Sequence, residues 1–165
     1  MSIFLREHYG NSRLTAAQIV KDPTLFLAFG FGSGLSKAMP GTMGTIAAIP
    51  VYLALLQTSN TIYLLATLIS AGLGIWICDQ AAKKLDVHDF GGIVWDEIAG
   101  FLITMFGISY SWQSLLAGFV LFRFFDIVKP WPIKWLDRYV VGGFGIMLDD
   151  VVAGLFAAIV LRFWF

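Results

Sequence analysis

The sequence predicts an all-α integral membrane protein, a bundle of about five transmembrane helices with a re-entrant or interfacial segment ahead of them. Three observations predict it: the composition, the spacing of the apolar runs, and the confinement of charge to one end of those runs. Of the 165 residues, 58% are hydrophobic and 13% charged, with a mean hydropathy of +0.78, whereas globular domains carry roughly 25% charged residues. A soluble domain of this length buries only about 70% of its chain surface, too little to hide so much apolar area. The chain reads as one domain over residues 1–165.

Taken in order, residues 23–31 are apolar but too short to span and run into glycines, which makes them the re-entrant or interfacial segment. Asp22 and Pro23 supply its N-cap and first helical position. Residues 45–57 hold Pro50 and predict a kinked or shallow helix. Residues 61–78 give the cleanest span, and residues 98–108, 112–128 and 151–165 read the same way, with charge only towards one end of each. The polar connections at 58–60 and 109–111 leave room only for tight turns between antiparallel helices.

Alternating these helices through a bilayer puts residues 1–44, 79–96 and 129–149 on one side. All eleven Asp and Glu and ten of the eleven Lys and Arg fall there or at the adjoining helix ends, and only Arg162 does not. Lys and Arg in short loops stay on the cytoplasmic side, so that side is cytoplasmic. Carboxylates have little say in orientation, and their absence from the other side points either to a task on this one or to the shortness of the opposite turns. No cleavable signal peptide is expected, because Arg6, Glu7, His8, Asn11 and Arg13 interrupt any leader core. The net charge is zero, which gives no footing for nucleic acid. Cys78, the single cysteine, reads as a packed thiol in an apolar run.

Carboxylates recur at helix starts: Asp96 with Glu97, Asp149 with Asp150, and Asp126 near the end of another helix. Gathered in a poorly solvated site they would repel strongly or take up protons, and a divalent cation resolves the conflict. Oxygen-only ligation suits Mg²⁺ or Mn²⁺ better than Zn²⁺. The alternative is that these acids cap the positive ends of their helices. Arg123, Asp126 and, if the helix continues, Lys129 fall every third residue on one face, which makes either a phosphate-binding stripe or an intrahelical ion pair. Pro130 and Pro132 end the helix beyond them, and Trp131 and Trp135 look like interfacial anchors.

The stretch 30–45, GFGSGLSKAMPGTMGT, offers backbone N–H groups, the hydroxyls of Ser33, Ser36, Thr42 and Thr45, and Lys37 to a phosphate, or merely close helix packing. It is neither a Walker loop nor a dinucleotide fingerprint. Gly142, Gly143 and Gly145 form a hinge or a second close-approach loop. His88 is a general acid or base, or a surface histidine. A Cys-x₅-Arg nucleophile loop is absent, and His8 and His88 alone do not make a histidine-nucleophile phosphatase.

GFGSGL and PGTMGT within 30–45, VHDFGGIVWDEIAG at 87–100, FRFFDIVKPWPIKWLD at 122–137 and GGFGIMLDDVVAG at 142–154 together resemble the phosphatidylglycerophosphatase A family, in the family's order and nearly end to end. The resemblance implies Mg²⁺-dependent hydrolysis of phosphatidylglycerophosphate to phosphatidylglycerol and phosphate in bacterial phospholipid synthesis, on the cytoplasmic face of the inner membrane. Carried onto this chain, the family's charged positions are Asp89, Asp96, Glu97, Arg123, Asp126, Lys129, Asp149 and Asp150. Asp79 and Asp86 lie outside the tightest matches.

A mechanism consistent with both lines has Mg²⁺ on a subset of Asp96, Glu97, Asp149, Asp150 and Asp89, and water attacking a phosphomonoester. Asp96, Asp126 and Asp149 are the candidate catalytic carboxylates, Asp126 as a further ligand or as the base. Arg123, Lys129 and Lys37, with Ser33, Ser36 and Thr42, would hold the phosphate. The rival readings are a membrane transporter or carrier with a divalent cation or phosphate site on its cytoplasmic side, and a non-catalytic scaffold that binds anionic lipid.

Overall fold

The computed structural model describes residues 15–87 and 90–165. Asp89 and His88, and the charges of Arg6, Glu7, His8 and Arg13, lie outside the described residues. Within them the chain forms eight α-helices and a single 3-10 turn, with no strand.

Capping chemistry sets the first boundaries. Thr15 and Gln18 form a capping box at the start of α1 (Ala16–Lys21). Asp22 ends α1 and caps α2 (Pro23–Ala28), accepting the Thr24 and Leu25 N–H groups at 3.0 and 3.1 Å, with Pro23 at the first turn as expected. Six residues cannot cross a bilayer, and α2 buries Leu25 and Ala28, packing against α4 (Asn60–Leu85). Lys84 at the end of α4 donates to both Asp22 oxygens, at 2.8 and 2.6 Å, and fastens this N-terminal pair to the bundle.

After the 3-10 turn Ser33–Leu35 comes α3 (Pro40–Leu55), and the turn at its end leads to Ser59, whose hydroxyl caps α4. α5 (Trp95–Met105) is followed by α6 (Trp112–Val128), capped by Ser111 and Ser114 in reciprocal hydrogen bonds. Both expected tight turns are therefore present. The short helix α7 (Ile133–Tyr139) then leads to α8 (Gly142–Leu161).

By length and composition α4 and α8 can cross a membrane, at mean hydropathies of 1.9 and 2.1. The other apolar helices are shorter: at a rise of 1.5 Å per residue, α6 and α3 reach about 25 Å and α5 about 16 Å of a core near 30 Å thick. Leu65, Leu68, Ile69 and Leu73 of α4, Val120 and Phe124 of α6 and Ile159 of α8 point outward and exposed, a surface suited to hydrocarbon.

α8 is the axis of the bundle, packed against α4, α5, α6 and α7. Its closest neighbour is α5. A Cβ on Gly154 would collide with the Gly100 carbonyl, and one on Gly100 would lie 2.8 Å from the Asp150 carbonyl and 2.6 Å from the Phe122 ring. Such backbone contact is the small-residue packing of membrane helices. Thr104 seals it by donating to the Gly100 and Gly154 carbonyls at 3.0 and 3.4 Å. Cys78 is buried, its Sγ 3.8 Å from Met147 Sδ, as a packed thiol should be. At the far end Arg162 donates to the Phe106 carbonyl at 2.6 Å and the Ala158 carbonyl at 3.1 Å, so the remaining cation closes the C-terminus of α5.

Two outcomes follow for the detergent-solubilised protein. Gly154→Val lowers unfolding stability by about 1–3 kcal/mol through overpacking, whereas Gly72→Ala, at a position with open space around it, holds or gains up to about 1 kcal/mol; thermal and urea midpoints check the pair. The Lys84 hydrogen bond, foremost, holds the Asp22 carboxyl below its ordinary 3.8. A depressed folded pKa makes this contribution present above about pH 4 and lost as pH falls through the folded value, so Asp22→Asn flattens the acid side of a stability profile.

Candidate functional site

The crossing of α5 and α8 determines where the acids go. The helices run in the same direction, so the residues one turn before Gly100 and Gly154, namely Asp96 and Asp150, stand side by side. Carboxylate oxygens of Asp96, Glu97 and Asp150 all lie within 4.8 Å of one another. Asp150 is 3% exposed and Asp149 7%. Because α8 begins at Gly142, Asp149 and Asp150 lie inside it rather than at its start, and helix capping does not account for them. Asp96 and Glu97 do sit in the first turn of α5, where the helix dipole favours them.

α6 arrives antiparallel and brings its last turn to the same end. Arg123 pairs with Asp126 at 2.5 Å and approaches Glu97 at 3.8 Å, all three side chains about one-seventh exposed or less. The helix does not continue to Lys129, which is its C-cap in left-handed conformation, φ 44°. That turn swings the ammonium between Asp137 of α7, at 2.5 Å, and Asp149, at 2.6 Å. Burial opposes the Lys129 charge, but the hydrogen bonds from these carboxylates outweigh it and hold its pKa above the usual lysine range.

These groups enclose a cavity of about 340 Å³, lined by Asp96, Glu97, Asp126, Lys129, Asp137, Asp149 and Asp150 together with Gly91, Ile93, Val140, Gly145 and Ile146. The first turn of α3 leans on its rim: a Cβ on Gly41 would strike Glu97 Oε1 and lie 3.0 Å from the Arg123 guanidinium. Glycine there brings the start of that helix against both side chains.

Of the residues expected at the site, the structure thus brings together Asp96, Glu97, Arg123, Asp126, Lys129, Asp149 and Asp150. Ser33, Ser36, Lys37 and Thr42 do not line the cavity. The Ser33 hydroxyl donates to the Phe29 carbonyl at 3.4 Å, the Ser36 hydroxyl to the Ala38 carbonyl at 2.8 Å, and Lys37 is exposed. Asp79 pairs with Lys83 at 2.6 Å, and Asp86 is the left-handed cap of α4. Asp137 was not singled out from the sequence. Its signal is its place one turn beyond the buried Ile133, on the inward side of a short helix whose next residues are cationic and aromatic.

The donor set suits a hard divalent cation. It is all oxygen, and Glu97 Oε2 is buried with no hydrogen-bond donor among the described residues. Asp150 has Asp126, Asp96 and Asp149 as like-charged neighbours. Acids so placed need a counter-cation, and Asp96, Glu97 and Asp150 are the three whose oxygens converge. Lys129 engages Asp149 instead, and Arg123 engages Asp126.

An all-helical, membrane-type protein with a recessed pocket of carboxylates, flanked by fixed cations and able to hold a metal ion, is the class this architecture defines. Comparison with known proteins is more specific. The chain belongs to the phosphatidylglycerophosphatase A family, whose model matches residues 26–165. It is 48% identical over 145 residues to phosphatidylglycerophosphatase A of Escherichia coli, covering 87% of this chain and 84% of that one. Against the protein of the same name from Haemophilus influenzae it is 45% identical over 148 residues, covering 87% and 91%. A Bacteroides thetaiotaomicron relative, provisionally named a phosphatidylinositol-3-phosphatase, is 34% identical over 153 residues, covering 83% and 90%. No solved structure matches the chain.

The string Asp137–Lys129–Asp149 behaves as one unit. A double-mutant cycle between Lys129→Met and Asp137→Asn, read by unfolding midpoints, gives a coupling of about 0.5–3 kcal/mol. The same cycle between Lys129→Met and Asp22→Asn gives none, because that acid is paired elsewhere.

Proposed function

We propose that the protein is a Mg²⁺-dependent lipid phosphatase that hydrolyses phosphatidylglycerophosphate to phosphatidylglycerol and inorganic phosphate. The observation that carries this reading is a single cavity lined by converging carboxylates and by Lys129, with Arg123 paired to Asp126 of its lining. Family membership supplies the lipid. The orientation that supports it has α3, α4, α5, α6 and α8 embedded in the bacterial inner membrane and the acid cavity at the cytoplasmic face, where the loop cations gather.

Asp96, Glu97 and Asp150 would hold the Mg²⁺, which supplies charge neutralisation at the phosphate and acidifies bound water. Lys129 donates to a non-bridging phosphate oxygen, its ammonium kept in place by Asp137 and Asp149. Arg123 fixes Asp126, whose carboxylate accepts the proton of the attacking water. The water oxygen bonds to phosphorus as the bond to the glycerol oxygen breaks, and that oxygen takes a proton from solvent to leave as the terminal hydroxyl of phosphatidylglycerol, while Asp126 returns the proton it accepted to solvent. Asp149 acts here through Lys129, and Asp89, outside the described residues, is a further candidate ligand. A transporter would set its polar groups near the bilayer midplane between two gates, whereas Asp96 and Glu97 stand in the first turn of α5 and Asp126 in the last turn of α6, with only the α8 acids further in.

Phosphate release by the purified protein is the test. It is expected from phosphatidylglycerophosphate, to vanish with EDTA and to return with Mg²⁺. Asp96→Asn and Asp150→Asn are each expected to cost about 100-fold or more, and Lys129→Met about 100-fold in kcat. Release as fast from phosphatidylinositol 3-phosphate as from phosphatidylglycerophosphate would move the substrate assignment. Undiminished activity in Asp96→Asn and Asp150→Asn would end the metal assignment.

A further inference from the structure

The catalytic reading leaves one surface unused: the outward side of α7 and the turn before it. Ile133 is fully buried and Asp137, one turn on, reaches Lys129, so these define the inward side of the helix. The opposite side presents Trp131, Trp135 and Tyr139 at 83%, 53% and 61% exposure. The rings of Trp135 and Tyr139 lie 5.6 Å apart, and the Arg138 guanidinium sits 5.7 Å from the Tyr139 centroid. Lys134 and Arg138 are exposed, and neither takes part in an ion pair among the described residues. Solvated lysines and arginines usually find acids when acids are nearby. Here the nearest one in sequence, Asp137, is turned away and used by Lys129.

Three exposed aromatic rings and two unneutralised cations on one side of a short helix form a mixed surface with matching requirements. The rings seek the region between water and hydrocarbon, where Trp and Tyr concentrate. The cations seek negative headgroups at the same depth. A soluble protein partner would satisfy the charge, but the exposed Ile127 and Val128 that lead into this turn suit hydrocarbon better than a polar partner. We infer that α7 is an interfacial docking helix that binds the headgroups of bulk anionic phospholipids, drawing a negatively charged lipid annulus to the mouth of the acid cavity. Because Asp137 on its inward side holds Lys129, lipid engaged by the outward side also steadies the group that would meet a phosphate.

The annulus is measured directly, without reference to catalysis. The protein is reconstituted in phosphatidylcholine vesicles, and the motionally restricted fraction of spin-labelled phosphatidylserine is compared with that of spin-labelled phosphatidylcholine. The expected result is a preference for phosphatidylserine that falls as salt is raised and drops by about five-fold for each charge removed in Lys134→Gln and Arg138→Gln, reaching parity in the double variant. Trp131→Phe with Trp135→Phe is expected to leave the charge preference in place, since the rings set depth rather than sign. Parity in the wild-type protein, or a preference that survives Lys134→Gln/Arg138→Gln, overturns the proposal. Phosphate release from substrate in pure phosphatidylcholine is expected to be the same for wild type and double variant, which shows that the variant is folded; if it is lost, the single variants carry the test. Failure of the hydrolytic reading appears as no phosphate release by wild type in any lipid and leaves the spin-label result standing.

Discussion

Everything in the acid cavity depends on the backbone contact between α5 and α8 at Gly100 and Gly154. Side chains longer than hydrogen at either glycine would hold the helices apart, and Asp96, Glu97 and Asp150 would no longer share one space. The contact is held by packing and by the Thr104 hydroxyl shared between two carbonyls. It must bear a cost, since carboxylates buried side by side repel and are poorly hydrated. The surrounding aromatic core, with Tyr52, Phe101 and Phe122 in edge contacts, supplies the apolar packing that offsets it.

The cations extend this arrangement outward in two strands. Arg123 draws Asp126 and Glu97 together from α6, and Lys129 draws Asp137 and Asp149 together from α7 and α8. Neither cation is replaceable by its neighbour. Arg123 lies inside a helix with a rigid planar head, whereas Lys129 is placed by a left-handed turn at the helix end, φ 44°, just before the proline that keeps the helix from continuing.

Much of this was legible in the sequence because membrane chains state their physics plainly. Apolar runs gave the helices, Asp22 followed by Pro23 gave a boundary that the hydrogen bonds match, and the paired acids at 96/97 and 149/150 all line one cavity, although only Asp96, Glu97 and Asp150 converge as a metal-capable group and Asp149 turns to Lys129. What stayed hidden were the consequences of close approach. Nothing local says that α8 starts at Gly142, seven residues before its acids, because glycines there read equally as a loop. Nothing local says that the glycine-rich stretch 30–45 contributes Gly41 to the rim while Ser33, Ser36 and Lys37 lie elsewhere. Asp137 escaped for the same reason: its partner is eight residues away across a proline turn, and only the folded path of the chain brings them together.

The depth of the cavity has a consequence for what can enter it. The start of α8 is marked by the Gly143 N–H that Asp79 accepts, and Asp150 lies seven residues further along, about 10 Å deeper at 1.5 Å per residue. On α8 the acids are therefore set well below the start of their own helix, although Asp96 and Glu97 stand in the first turn of α5. Anything that meets Asp150 must therefore reach about 10 Å past the start of α8, so the recess sets a length requirement of its own.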